Sequence, residues 1–361
     1  MAIFFTFFSA IYMVLMAWLY KNKKIKKYFF YVLIGVFSGL FSTYFSHDST
    51  AYQKLFLYYS ASPFSNTLNE IVRYEIFFVL SSKVFSFLPV VVFFCLYAIV
   101  SFAVKLSLIE KVSRDPLLSL LCFFAFFFLY MDGTVVRVGL GIATAYWGVY
   151  LLSKNNIVGF LVVVLLSSVL FHYSLIILLI MPFFRSHLSI VFIFLMILFF
   201  LVLYFFGFGV LDFLLFLAKY MDPSYIGVYK FISYLNGSNL SHPYSIVFVS
   251  LFLISVVGYF LYKDDLSEFE LIAFNMLFLS FLFLVMLYQS QIMQNRVSEI
   301  FRYSLIFVVP LFYLSLKDLL KSPYLSMVIY CLFVSGYFFY YYYFKEIISD
   351  ENLGLLHKIL F

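Results

Sequence analysis

Long apolar runs separated by short polar breaks decide what this chain can become. Residues 188–209 and 271–288 are each long enough, as helices, to cross the hydrocarbon core of a bilayer. With 65% hydrophobic and 11% charged residues, the chain also lacks the polar side chains needed to cover a water-soluble surface. Lipid is therefore its solvent. A β-barrel would need apolar and polar residues to alternate along each strand, and residues 123–130 do not alternate. The expectation is an all-α, polytopic transmembrane helical bundle of about 11–12 spans, forming one integral membrane domain over residues 1–361.

Residues 1–20 have no positive charge ahead of the apolar stretch and no small-residue cleavage site behind it, so they are expected to remain as the first span. Cys95, Cys122 and Cys331 lie inside apolar runs at no metal-ligand spacing and imply neither a disulfide framework nor a metal site. The net charge of +6 resides largely in Lys-rich loops, which in a membrane protein report orientation rather than nucleic-acid binding.

Lys21, Lys23, Lys24, Lys26 and Lys27 form the strongest such loop and belong on the cytoplasmic side, which puts the N-terminus outside. Following the spans from there gives outer loops at about 46–74, 131–137 and 210–243. Residues 157–184 decide the count, because one long helix or two short ones would both suit their composition. Two short helices turning at His172 keep Arg185, Lys263, Lys317 and Lys321 cytoplasmic, and that reading is preferred.

Ionisable residues retained near a membrane are functional candidates. On the outer side of this topology stand Asp48, Glu75, Arg137, His172, Arg296 and Arg302. The motifs of phosphate-loop ATPases, zinc peptidases and serine esterases are absent, and no cofactor or metal is called for. A few carboxylates, one His and several Arg suit a phosphorylated substrate, since Arg grips phosphate bidentately and keeps its proton. A carboxylate or a neutral His can take the proton from an attacking hydroxyl.

At these residues the chain resembles the EpsG family of Wzy-type polysaccharide polymerases. The segments that carry the likeness are HDSTAY with Asp48 and Tyr52, RYEIFFVL with Glu75, VVRVGLGIAT with Arg137, FHYSLIILL with His172 and Ser174, and NRVSEIF with Arg296. Val138 stands where the family often has Gln. The resemblance implies a fold like that of membrane glycosyltransferases using lipid-linked sugars. It also implies transfer of a glycan from undecaprenyl pyrophosphate to a carrier-linked repeat unit, at the outer face of the bacterial cytoplasmic (inner) membrane. Arg137, Arg296 and Arg302 would hold the pyrophosphate, Asp48, Glu75 or His172 would serve as base, and Tyr52 and Ser174 would support them. The partners implied are the carrier-linked oligosaccharide, the bilayer and a chain-length regulator, with no nucleic acid. Competing readings are an O-antigen ligase, a transporter or flippase of lipid-linked oligosaccharide, and an acyltransferase acting on surface sugars.

Overall fold

The computed structural model describes residues 26–63, 76–186, 190–207, 246–262 and 264–344. Its elements are helices: α1 Lys27–Tyr44, α2 Ser49–Ala61, α3 Ile76–Val84, α4 Val90–Val112 and α5 Pro116–Phe123, which runs on as a π-helix over Phe124–Thr134. Then come α6 Val136–Ser153, α7 Ile157–Leu170, a 3-10 helix over Tyr173–Phe184, α8 Ile190–Phe205 and α9 Ile246–Tyr262. The last four are α10 Glu268–Met286, α11 Gln291–Arg302, α12 Leu305–Leu320 and α13 Pro323–Phe344. Among the described residues there is no strand element, and each apolar stretch expected to span after residue 26 carries a helix. The expected span at 1–20 and the expected outer loop at 210–243 lie outside the described residues.

Val90–Val112, Pro116–Thr134 and Glu268–Met286 are each long and apolar enough to cross a membrane alone, and α11 with α12, bent by 55°, is so only when the two are taken together, as a broken span or a re-entrant loop. The solvent around the helices can be read from α8, whose Val191, Leu195 and Phe199 are all more than half exposed. Apolar side chains facing outward along a whole helix are stable only against lipid.

Helix starts follow local chemistry. Asp115 caps α5 by accepting from the N–H groups of Leu117 (3.0 Å) and Leu118 (3.2 Å), with Pro116 at the first helical position. Ser267 and Glu270 form a reciprocal capping box that starts α10.

The helices gather into two compact units: 1–150, 158–176 and 309–361 form one, 151–157 and 177–308 the other. In the first, α1 packs against α4 so closely that a Cβ at Gly35 would come within 2.7 Å of the Ile99 Cα, and one at Gly39 within 2.5 Å of the Cys95 Cα. In lipid there is little hydrophobic drive between helices, so this small-residue stripe supplies the contact that holds the pair. An ion pair between Lys27 and Glu110 joins the start of α1 to the end of α4, so the two run antiparallel.

Residues 157–184 break at His172, between α7 and the 3-10 helix. In the second unit the Arg185 guanidinium donates to the Asn155 side chain, so the chain returns to the end it left. The 3-10 winding helps: at about 2 Å per residue, twelve residues reach roughly 24 Å, close to the roughly 21 Å of fourteen α-helical ones. Asn275 then secures the returning strand of chain, donating to the carbonyls of Phe184 (2.7 Å) and Ser186 (2.8 Å).

Candidate functional site

In the first unit α2, α3, the start of α4, the start of α6 and Phe171 meet in one aromatic cluster. Tyr52, Phe56 and Tyr59 recur at helical spacing on α2, so all three turn to the same side and are buried. Phe78 and Val79 of α3, Phe93, Phe94 and Tyr97 of α4, and Val136 and Leu140 of α6 complete it. The rings meet edge-on or tilted, with centroids 5.9 Å apart for Tyr52–Phe78, 4.6 Å for Phe56–Phe93 and 4.8 Å for Phe77–Phe171.

Arg137 sits on this cluster. Burial of Val136 and Leu140 fixes the face of α6, and the Arg137 guanidinium carbon lies 5.2 Å from the Tyr52 ring centre and 5.6 Å from that of Phe78. Cation–π attraction of this kind contributes about 0.5–2 kcal/mol and holds the planar group against the ring faces. Arg137 also lies in the first turn of α6, at the positive end of the helix. Two positive features at one end of a helix repel each other and favour an anion there.

Asp48 precedes α2 by one residue, and its carbonyl accepts from Tyr52 N–H at 3.0 Å, so it stands one turn before the ring under Arg137. Its side chain occupies the cap position without making a cap hydrogen bond, and the residue is half-buried. His172 follows Phe171 of the cluster at the break, where its N–H donates to the Ser167 carbonyl at 3.3 Å. The Ser174 hydroxyl is enclosed and has no hydrogen-bond partner among the described residues. Tyr52 is thus part of the cluster and Arg137 lies on it, Asp48 and His172 adjoin its elements in sequence, and Glu75 lies outside the described residues.

The two later arginines belong to the second unit. Arg296 is exposed on α11. Arg302, expected among the phosphate ligands, is 1% exposed. It lies 3.8 Å from the Glu299 carboxylate one turn earlier and donates to the Ser298 hydroxyl at 3.3 Å. The α10–α11 hairpin encloses it, tied by Gln294 donating to the Leu284 carbonyl (2.7 Å) and the Ser280 hydroxyl donating to the Ser298 carbonyl (2.9 Å).

A family model matches residues 36–353 and so covers every candidate above. The chain belongs to the EpsG family. Among curated proteins and among solved structures no match was found. Membership in the EpsG family, together with the apolar helices, identifies a multi-pass membrane protein connected with polysaccharide synthesis.

One set of charged residues in this EpsG-family chain escaped the sequence reading. Residues 131–137, expected as an outer loop, instead complete the π-helix and begin α6, with Met131, Asp132, Gly133 and Thr134 buried. The cause is a partner on α4: Lys105 and Asp132 form an ion pair with side chains 0% and 1% exposed, and the Ser101 hydroxyl donates to Asp132 at 2.6 Å. The signal was present, since Lys105 is a charge inside an apolar run.

Proposed function

We propose that this EpsG-family protein is a Wzy-type polysaccharide polymerase, a glycosyltransferase that moves a glycan from undecaprenyl pyrophosphate onto a carrier-linked repeat unit at the outer face of the cytoplasmic membrane. The observation that carries the reading is Arg137, held over Tyr52 and Phe78 at the positive end of α6, with Asp48 one turn ahead of Tyr52. In the reaction the acceptor hydroxyl oxygen bonds to the anomeric carbon as the bond from that carbon to the pyrophosphate oxygen breaks. The electron pair leaves with the carrier pyrophosphate, and the hydroxyl proton passes to a base, for which Asp48, Glu75 and His172 are the candidates. Arg137 stabilises the charge that grows on the departing group. Arg296, exposed on the second unit, is a further candidate for binding phosphate.

A flippase would use charges along a water-filled path. The Lys105–Asp132 pair, buried among the described residues of the first unit, is sealed from solvent and bonded to itself, which disfavours that reading. Purified protein supplied only with carrier-linked repeat units separates the remaining options. A polymerase lengthens them into a ladder; a ligase or an acyltransferase leaves them at unit length, and that result would overturn the proposal.

A further inference from the structure

The π-helix between α5 and α6 is the least ordinary element in the molecule. It runs for eleven residues, where such winding normally appears as single-turn bulges and often near functional sites. Its hydrogen bonds reach back five residues, as Val135 N–H does to the Tyr130 carbonyl at 2.8 Å. Each turn therefore holds more residues than an α-turn, and over eleven residues the accumulated rotation differs from that of an α-helix by roughly half a turn.

That rotation decides which side Asp132 faces. With π winding it reaches Lys105 on α4, and the Ser38 hydroxyl of α1 donates to its carbonyl at 2.9 Å. Phe102 of α4 stacks on Phe124 with centroids 6.0 Å apart and planes at 16°, which fixes the near end of the same element. In α winding Asp132 would turn away from Lys105, leaving two charges enclosed without partners, a costly arrangement. The carboxylate meanwhile keeps one oxygen, Oδ2, buried without a hydrogen-bond partner, so the pair is retained despite incomplete satisfaction.

Downstream the same geometry fixes α6. A Cβ at Gly139 would come within 2.3 Å of the Met131 carbonyl oxygen and 3.3 Å of the Lys105 ammonium, so the first turn of α6 is clamped onto the π-helix and the pair together. Arg137 lies in that turn. We propose that Lys105 and Asp132 are positioning residues: their ion pair selects the π-wound register of 124–134 and so sets the direction in which Arg137 leaves α6. The consequence for catalysis rests on the reading of Arg137 as a pyrophosphate ligand. The positioning itself does not.

The test uses the full chain in native membranes, with Cys95, Cys122 and Cys331 replaced by Ser. Cysteines introduced as Tyr52→Cys and Arg137→Cys are bridged with a short bis-maleimide, and polymer synthesis is followed in parallel in chains that keep Tyr52 and Arg137. With the native pair the bridge forms. Lys105→Met combined with Asp132→Leu, which leaves no unpaired charge, is expected to lose both the bridge and the polymer at matched protein level. The exchange Lys105→Asp with Asp132→Lys is expected to restore both. Should the apolar pair fail to accumulate, Asp132→Asn, which keeps an acceptor for Ser101, takes its place with the same expected losses. A bridge that persists without the ion pair overturns the positioning proposal. A lost bridge with polymer intact upholds the positioning and overturns the role of Arg137.

Discussion

Arg137 and Arg302 carry the same group at opposite ends of helices, and the difference separates two uses of an arginine in a membrane protein. Arg302 closes α11, where the negative end of the helix and Glu299 one turn back both favour its charge, and it is enclosed. Arg137 opens α6, where the helix end disfavours its charge, and it is only half-buried, on aromatic faces. The Glu299 carboxylate and the Ser298 hydroxyl lie beside the first. The second stands at the positive end of a helix, a place that favours an anion.

Three substitutions would break or sharpen this contrast. The largest effect is expected for Arg302→Met, which leaves the Glu299 carboxylate enclosed without its cation: about 3 kcal/mol of stability, read as a lower midpoint of thermal unfolding in detergent. The surviving folded protein should polymerise at the normal rate, and a normal midpoint with lost polymer would reverse the assignment. Next comes Tyr52→Leu, which removes the nearer ring beneath Arg137 but keeps an apolar side chain, for a loss of about 1 kcal/mol in catalysis, roughly fivefold in rate. Smallest is the stability change for Arg296→Ala, expected within about 0.5 kcal/mol because the side chain is exposed. Any fall in polymer in that variant then measures a contact with substrate rather than a loss of fold.

Much of the helical layout was legible because its signals are local. The apolar run at 271–288 became α10 at Glu268–Met286, shifted toward its start by the Ser267–Glu270 capping box. The fold-back at His172 followed from keeping Lys and Arg on one side, and Arg185 does meet Asn155. The π-helix was not legible: its winding matches neither the helix nor the strand period, and the residue that draws Asp132 inward lies 27 positions earlier on another helix. The close approach of α1 and α4 could have been found, since Gly35 and Gly39 stand at the spacing that lets helices touch in lipid.

For the candidate site, residue types and the family resemblance gave Asp48, Tyr52, Arg137 and His172; Arg137 lies over Tyr52 in one aromatic cluster, and Asp48 and His172 stand next in sequence to elements of that cluster. The same reasoning could not distinguish Arg302 from Arg137, because charge inside a membrane protein marks both a ligand site and an internal ion pair. Glu299, three residues before Arg302, lies 3.8 Å from it, so a partner for that charge stands within the same helix.

Arg137 is proposed to bind and stabilise the departing pyrophosphate. The direct test is the chain-length ladder made from carrier-linked repeat units by Arg137→Ala protein, purified and checked for an unchanged unfolding midpoint. Folded protein with polymer formation reduced roughly 100-fold or more is expected, with partial activity for Arg137→Lys. A wild-type ladder from Arg137→Ala would contradict the proposal.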